Sequence, residues 1–316
     1  MTEVAPRKEA NILRTQLVIG ASLMTALSLV LALIGTPELM GQEPFSHLVQ
    51  PEWLAANLAD PHVRIIDMRG DIRDYWEAHI PGAIFLDSEA LRWPDKGVPG
   101  KLMPPSTLAL LLGEMGVGRG TTAIIYSEIN HYRAAYMVWA LDYIKHPSWA
   151  ILQDGFEGWK KKGRPLSQDY PKIDTASYEW KGETDLSVRA TLEDVKNRDT
   201  AGSVLLDVRP TELFSGEKGT WKRKGHIKGA IQHFWVEDLN NNGTWKDVEV
   251  LRKAYSAKGV TPEKTVIVSC GQGQMASHVY FTLRYILGFP KVKNYDGSFN
   301  EWSNIDDLPV ATGPDK

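Results

Sequence analysis

The segment with the most evident chemistry is TVIVSCGQGQMASH, residues 265 to 278, which holds the only cysteine of the 316-residue chain. A β-branched run, 265–268, leads into Cys270, and residues 276–287 are typical of a helix. The glycines of the intervening loop, 271–274, let backbone N–H groups converge on an anion, and a helix N-terminus favours a thiolate. The pattern predicts either a thiolate held by backbone N–H groups or a buried, inert cysteine at a strand end.

The surroundings of Cys270 argue against several kinds of cysteine chemistry. A cysteine phosphatase needs an arginine six positions after the cysteine to bind phosphate, and Ala276 stands there. A single cysteine leaves no partner for an intrachain disulfide, a redox dithiol or a cysteine-rich zinc site. His278 falls about two helical turns into the following helix, which predicts a packing role rather than a general base. We predict no metal and no organic cofactor.

The composition is that of an ordinary globular protein. Hydrophobic residues make up 43% of the chain and charged residues 24%, and the length suits two domains. The formal net charge of −3 gives no reason to expect a nucleic acid as partner.

The second half of the chain repeats the order of motifs of the first half. In both halves an apolar strand is followed by Asp-x-Arg, His-Ile-x-Gly-Ala, a second apolar strand, a loop, a helix, Asp-Gly and Trp; the segments are 63–86, 121–144 and 152–163, then 203–235, 264–287 and 294–304. The chain therefore contains two copies of one module. Ser127 stands in the first copy where the second has Cys270, so the second copy is predicted to be the catalytic one.

Each copy alternates short apolar strands with helical segments, which predicts an α/β fold with a mainly parallel sheet flanked by helices. In the first copy the predicted strands lie at 65–66, 84–85, 123–126 and 151–152, and the predicted helices at 51–58, 105–112 and 133–143. Gly116 and Gly259 fit helix C-caps. We place the first domain at 46–163, a polar linker at 164–185 and the second domain at 186–312.

Motifs that occur in both copies are predicted to serve the fold rather than the chemistry. Asp67-x-Arg69 and Asp207-x-Arg209 are interpreted as internal ion pairs, because the copy without a cysteine has one too. The histidines of the two His-Ile-x-Gly-Ala turns are interpreted as hydrogen-bonded turn residues.

The N-terminus differs from the rest of the chain. Residues 17–34 carry no charge, which is about the length that spans a bilayer core, and three basic residues precede them. We predict a cytoplasmic tail at 1–15 and a single transmembrane anchor at 16–36 in a bacterial inner membrane, with the remainder on the periplasmic side. Secretion after cleavage of a signal peptide is the alternative.

The repeated pattern, with the segments DMRGDIRDYWEAHIPGA and YDGSFNEW, resembles the two-domain rhodaneses, the thiosulfate and 3-mercaptopyruvate sulfurtransferases, over roughly residues 46 to 310. The resemblance implies tandem rhodanese-like domains of which the second is catalytic. It also implies that Cys270 carries the transferred sulfur as a persulfide. Gly271 and Gly273 match glycines of the mercaptopyruvate-type loop, whereas the thiosulfate-type loop has an arginine directly after the cysteine.

The loop departs from both types in its side chains. Gln272 and Gln274 are neutral, and Met275 stands where a threonine or arginine is usual. We still expect the backbone of residues 271–275 to bind substrate, and we look for positive charge outside the loop. The candidates are Arg189, in a segment where the family has a substrate-binding basic residue, and Lys222 and Arg223, in an insertion of the second copy.

These observations predict a sulfurtransferase that moves sulfur from a small anionic donor, thiosulfate or 3-mercaptopyruvate, through Cys270. The acceptor would be a thiol, cyanide or a thioredoxin-like protein. The alternative is a membrane-tethered sulfur-relay or binding module with little turnover of small donors, which the neutral loop favours.

Overall fold

The computed structural model describes residues 47–314, which belong to one compact unit. In the first copy the strands are β1 (Leu48–Val49), β2 (Val63–Asp67), β3 (Ala83–Phe85), β4 (Arg92–Asp95), β5 (Val98–Leu102), β6 (Thr122–Tyr126) and β7 (Trp149–Leu152). The helices are α1 (Pro51–Ala56), α2 (Ile72–Glu77), α3 (Pro105–Glu114), α4 (Tyr132–Tyr143) and α5 (Gly155–Lys161). The predicted strands and longer helices are confirmed, with ends shifted by a few residues.

The second copy repeats this series. Its strands are β8 (Arg189–Ala190), β9 (Ser203–Asp207), β10 (His226–Ile227), β11 (Ala230–Gln232), β12 (Thr265–Ser269), β13 (Val292–Tyr295) and β14 (Val310–Ala311). Its helices are α6 (Leu192–Lys196), α7 (Thr211–Phe214), α8 (Val248–Ala257), α9 (Gln274–Phe281) and α10 (Ser298–Ser303). Residues 282–286 continue α9 as a π-helical turn.

The two copies have the same sheet topology. Each forms a five-stranded, wholly parallel sheet, in the order β1-β7-β6-β2-β3 in the first copy and β8-β13-β12-β9-β11 in the second. The central strands are almost entirely buried, as expected for a sheet covered on both faces. This result confirms the predicted α/β class and the parallel sheets.

Glycines mark the ends of two helices. Gly116 and Gly259 follow α3 and α8 with φ values of +69° and +71°, so both predicted C-caps are confirmed.

The predicted linker, residues 164–185, lies wholly within the described part of the chain. It contains neither helix nor strand apart from one bridge between Ser167 and His79.

Two features place the copies against each other. Helices α4 and α9, each of which follows the central strand of its own sheet, pack together, and one hydrophobic core cluster includes buried residues of both copies. The hairpin of β4 and β5 belongs to the first copy and extends toward the second, where the Asn300 side chain donates to the Pro99 carbonyl. The carboxyl ends of the two central strands therefore lie near the contact between the copies.

The predicted cytoplasmic tail at 1–15 and anchor at 16–36 lie outside the described residues. Within residues 47–314, none of the helices has the length and apolar character needed to cross a bilayer.

Candidate active site

Cys270 lies directly after the last residue of β12, and three residues separate it from the first turn of α9. Parallel sheets place ligands at this edge, where the carboxyl end of a strand leads into a helix. The cysteine is 2% exposed and has no disulfide partner. Cys270 therefore lies between the end of a strand and the start of a helix, as the sequence predicted.

The loop places a backbone N–H group against the Cys270 sulfur. The Gly273 N–H donates to Sγ over 3.1 Å. Gly273 has φ +83°, and a Cβ at this position would lie 2.8 Å from the Asp296 carbonyl oxygen. A glycine is therefore required both by the backbone conformation and by the close approach of the neighbouring chain.

Helix α10 fixes the Cys270 backbone from the other side. The Cys270 N–H donates to Ser298 Oγ over 3.0 Å, and the Cys270 carbonyl accepts from the Phe299 N–H over 3.1 Å. The next carbonyl, of Gly271, accepts from the Asn300 N–H over 3.0 Å. These bonds hold the sulfur in a rigid loop, as a reactive group requires.

A cavity of about 270 Å³ opens beside the sulfur. Four of the five loop residues predicted to bind substrate line it; its lining residues are Arg92, Arg209, Pro210, Leu213, Trp221, Cys270, Gly271, Gln272, Gln274 and Met275. The fifth loop residue, Gly273, contacts the sulfur through its N–H. The structure therefore brings together the whole predicted loop and two cations that the sequence interpretation did not assign to the site.

Arg209 enters the cavity from the neighbouring strand. In the sheet register Asp207 pairs with Ser269, so the residues that follow β9 lie beside Cys270. The Arg209 side chain is 1% exposed and forms an ion pair with Asp207, and its Cζ lies 4.2 Å from the Phe299 ring centre and 4.9 Å from that of Trp221. The predicted internal ion pair is confirmed, and Arg209 also lines the cavity.

Arg92 comes from the first copy. Its Nη1 and Nη2 each donate to the Gln272 carbonyl over 3.1 Å, and Nη2 donates to Gln272 Oε1 over 2.7 Å. Its Nε lies 3.2 Å from the Glu89 carboxylate. The first copy thus reaches the loop of the second through the start of the β4–β5 hairpin.

The three basic residues proposed from the sequence lie elsewhere. Arg189 pairs with the buried Asp296 at 3.1 Å and lines a separate cleft of about 560 Å³. Lys222 forms an exposed ion pair with Asp306 at 2.7 Å. Arg223 donates to five backbone carbonyls at the end of α10 and in the turn after it, those of residues 302, 303, 305, 306 and 308. From the predicted insertion it is Trp221 that lines the Cys270 cavity.

The equivalent loop of the first copy, after Ser127, is bridged by the Glu128 side chain. Ser127 is fully buried, and its hydroxyl donates to the Glu128 carbonyl over 3.2 Å. The Glu128 carboxylate accepts from the Gly70 N–H over 2.8 Å and from Arg133 over 2.9 Å. A carboxylate therefore occupies the first loop, where the second has Gly271 and an open cavity.

Two buried histidines lie behind the loops, at the contact between the copies. The rings of His131 and His278 both stack on the indole of Trp245, with ring centres 4.6 and 5.2 Å away. Burial lowers the pKa of His131 to about 3 and that of His278 to about 4. His278 therefore packs as predicted, in its neutral form at pH 7. The two turn histidines, His79 and His226, are hydrogen-bonded through Nδ1 to backbone carbonyls, also as predicted.

No group of three or more metal-ligating side chains that could hold an ion occurs in residues 47–314.

Comparisons with known proteins bear on what this site does. The model of the rhodanese-like domain family matches residues 50–162 and 191–305. The sulfur carrier protein TtuD of Thermus thermophilus is 35% identical over 280 residues, which cover 84% of this chain and 96% of that protein. A thiosulfate sulfurtransferase of Corynebacterium glutamicum is 30% identical over 285 residues, covering 86% of this chain and 93% of the relative.

A solved structure shares the fold. The anaerobic ergothioneine biosynthesis enzyme from Chlorobium limicola superposes with a TM-score of 0.77 at 23% identity, covering 85% of this chain and 71% of that chain. At this identity the likeness concerns the fold alone.

Proposed function

The chain belongs to the rhodanese family and is a rhodanese-type sulfurtransferase, and we propose that it moves sulfur from a small anionic donor to a thiophilic acceptor through a persulfide on Cys270. The observation that carries this proposal is the contact of the Gly273 N–H with Cys270 Sγ, at the mouth of a cavity large enough for a small donor. Such a contact stabilises negative charge on sulfur before and after transfer.

The first half of the reaction loads sulfur on the enzyme. With thiosulfate, the Cys270 thiolate attacks the outer sulfur of the donor, and a new S–S bond forms as the donor's S–S bond breaks. Sulfite leaves with the electron pair of that bond. The negative charge of the thiolate then resides on the terminal sulfur of the persulfide, next to the Sγ atom that the Gly273 N–H contacts.

The second half returns the enzyme to its starting state. A thiol, cyanide or a thioredoxin-like protein attacks the terminal sulfur, and the S–S bond of the persulfide breaks with its electron pair left on Cys270. The thiolate is restored without a net oxidation of the protein, so the cycle needs no cofactor. Apolar lining residues, including Trp221 and Met275, limit the access of water to the persulfide.

For the location of this reaction we propose a single-pass anchor at 16–36 in a bacterial inner membrane, with the catalytic domains on the periplasmic side. The uncharged segment 17–34 and the basic residues before it support this topology. Protease treatment of spheroplasts tests it, because external protease should degrade the catalytic domains while the membrane remains intact. Release of the protein into the medium with a shortened N-terminus would instead establish a cleaved signal peptide.

The second candidate function is a membrane-tethered sulfur-relay or binding module that carries a Cys270 persulfide to a dedicated protein partner and turns over small donors poorly. The relative named as a sulfur carrier protein is the observation that favours it.

Steady-state kinetics of the purified full chain separate the two functions. Thiocyanate formation is measured with cyanide as acceptor and with thiosulfate or 3-mercaptopyruvate as donor, beside a Cys270→Ser variant. Saturable turnover that the variant lacks supports the small-donor enzyme. Turnover no faster than that of the variant, with both donors, contradicts it and favours the relay module.

A further inference from the structure

The insertion of the second copy, residues 215–225, is a compact loop whose two ends lie together. A Cβ at Gly216 would lie 3.1 Å from the Gly225 backbone nitrogen, and a Cβ at Gly225 would overlap the Ala311 carbonyl oxygen of β14. In the first copy, α2 leads almost directly into the His-Ile-x-Gly-Ala turn instead. Compact loops with adjacent ends frequently have a function of their own.

Charged side chains tie this insertion to the chain around it. Arg223 donates to five backbone carbonyls in the segment 302–308. From the end of β9, Arg209 Nη2 donates to the Gly225 carbonyl over 2.8 Å. Hydrogen bonds from a charged group are stronger than neutral ones, so the backbone that carries Trp221 is held in one position.

The Trp221 indole packs over the loop beside Cys270. A Cβ at Gly271 would lie 2.8 Å from Trp221 Cζ2, so the indole contacts the residue that follows the cysteine. The Phe299 ring meets the indole edge-on at 5.5 Å, and Arg209 Cζ lies 4.9 Å from the indole centre. Trp221 is therefore supported from several sides and forms a fixed wall of the cavity.

This wall leaves little room at the sulfur. Cys270 is 2% exposed, and the cavity of about 270 Å³ beside it is smaller than the ~300–1,000 Å³ usual for pockets that hold drug-sized ligands. The S–S bond of a persulfide adds only about 2 Å to the side chain. An acceptor therefore has to enter the cavity to reach the terminal sulfur.

We infer that Trp221 is a specificity-determining residue that restricts the sulfur acceptor to slender nucleophiles, such as cyanide or a small thiol, and excludes a thiol set in the surface of a folded protein. This inference rests on the proposed function and selects among the acceptors named there. The sulfur of a small thiol bonds to the terminal sulfur as the S–S bond of the persulfide breaks. The electron pair of that bond stays on Cys270, and the proton of the thiol goes to solvent.

Alkylation of Cys270 with two neutral reagents tests the wall without requiring sulfur transfer. Iodoacetamide and iodoacetanilide each form an S–C bond with the thiolate and release iodide, but iodoacetanilide carries an additional phenyl ring. The rate constant with iodoacetanilide is divided by that with iodoacetamide, and the quotient is normalised to that of a small free thiol. The purified full chain is used, and mass spectrometry follows the modification of its single cysteine.

Trp221→Ala should raise this normalised ratio about tenfold above that of the unmodified chain, because forcing extra atoms into a filled site costs roughly this much in rate. Trp221→Phe keeps a smaller ring against Phe299 and should give an intermediate ratio. Trp76→Ala is the matched control, since Trp76 is 49% exposed on α2, the helix after the equivalent Asp-x-Arg motif, and its ratio should not change. Equal ratios in Trp221→Ala and the unmodified chain overturn the assignment of Trp221.

Discharge of the persulfide tests the acceptor class. After loading and removal of the donor, the loss of one sulfur atom from Cys270 is followed with N-acetylcysteine or reduced thioredoxin, and each rate is divided by that of the same acceptor with glutathione persulfide. In the unmodified chain the normalised rate should be about tenfold higher with N-acetylcysteine, and Trp221→Ala should narrow this difference about fivefold or more. Equal normalised rates in the unmodified chain overturn the restriction to slender acceptors.

The two assays separate failure of this inference from failure of the proposed function. If neither thiosulfate nor 3-mercaptopyruvate loads Cys270 but the alkylation ratio depends on Trp221, the small-donor function is contradicted and the wall is supported. If a donor loads Cys270 but Trp221→Ala leaves the alkylation ratio unchanged, the function stands and the inference is overturned.

Discussion

The Ser127 loop of the first copy and the Cys270 loop of the second copy follow equivalent central strands but are filled by different groups. The Glu128 carboxylate crosses the first loop and bonds to Gly70, whereas the second loop has Gly271 and an open cavity. At the residue just before each helix the backbone has positive φ, in His131 of the first copy and Gly273 of the second. His131 packs in the interface, and Gly273 contacts the sulfur. The same fold thus supports either packing or chemistry, depending on a few loop residues.

The largest effect is expected from moving the thiol between the copies. Cys270→Ser should lower sulfur transfer by at least ~10³-fold, because the nucleophile is lost. Adding Ser127→Cys should not restore it, since the Glu128 side chain bonds to the Gly70 N–H and to Arg133 across the first loop, where the second copy has Gly271 and an open cavity for the donor. Thiocyanate formation by the single and double variants is the measurement. Recovery in the double variant would show that the two loops are equivalent.

Substitution of Gly273 is expected to slow sulfur loading, by less than the loss of Cys270 does. Gly273→Ala forces a side chain into a positive-φ position where its Cβ would lie 2.8 Å from a backbone oxygen, so the N–H should move away from the sulfur. Loss of one such donor typically costs 10²–10³-fold in rate. The rate of sulfur loading, measured by rapid quench, checks this.

Gly288→Ala is the matched control, because Gly288 also has positive φ (+73°) but open space around its Cβ position. It should retain the loading rate and lose only about 1 kcal/mol of stability from backbone strain. Similar loading defects in the two variants would mean that strain, rather than the contact with sulfur, limits the reaction.

The contact between the copies should be sensitive to acid. His131 and His278 have folded-state pKa values of about 3 and about 4, below the unfolded value of 6.5, so the unfolded state binds more protons and stability falls as pH decreases below 6.5. His278→Phe cannot be protonated and keeps an aromatic ring against Trp245. Between pH 7 and pH 5 the free energy of unfolding of this variant should fall by about 2 kcal/mol less than that of the unmodified chain.

Urea denaturation at the two pH values measures this difference. His278 also lies near two other buried titratable groups, Asp238 and His233, and the variant changes neither. An equal loss of stability in both proteins would show that the acid sensitivity originates elsewhere.

The smallest effects are expected in the insertion of the second copy. Arg223→Gln removes charge-assisted bonds to the carbonyls after α10 and should cost roughly 2–3 kcal/mol of stability with kcat and KM nearly unchanged. Lys222→Gln breaks an exposed ion pair and should cost about 0–1 kcal/mol. Thermal unfolding and thiosulfate kinetics check both. A large rise of KM in either variant would return these residues to the substrate site.

The sequence predicts much of this molecule because the relevant signals are local. The β-branched strand before Cys270, the glycines after it and the C-cap glycines each act through their own backbone, and the duplication predicts the second sheet from the first. Arg92 could not be found in this way, since its hairpin occurs in one copy and reaches Gln272 only when the copies pack together.

Arg209 illustrates a different limit. Its pairing with Asp207 was readable from the Asp-x-Arg repeat, but its position beside Cys270 depends on the pairing of β9 with β12. A second signal was available: parallel strands that end together bring the residues after them to one edge. We proposed Arg223 as a substrate residue because it lies in a basic insertion. The backbone carbonyls that accept hydrogen bonds from it cannot be identified from the sequence.

Intact mass spectrometry of the full chain after incubation with thiosulfate would show whether Cys270 carries the transferred sulfur. We expect a gain of one sulfur atom, which cyanide removes, in the unmodified chain and in Ser127→Ala, and no gain in Cys270→Ser. A gain that persists in Cys270→Ser, or no gain in a protein whose Cys270 still reacts with iodoacetamide, would contradict this expectation.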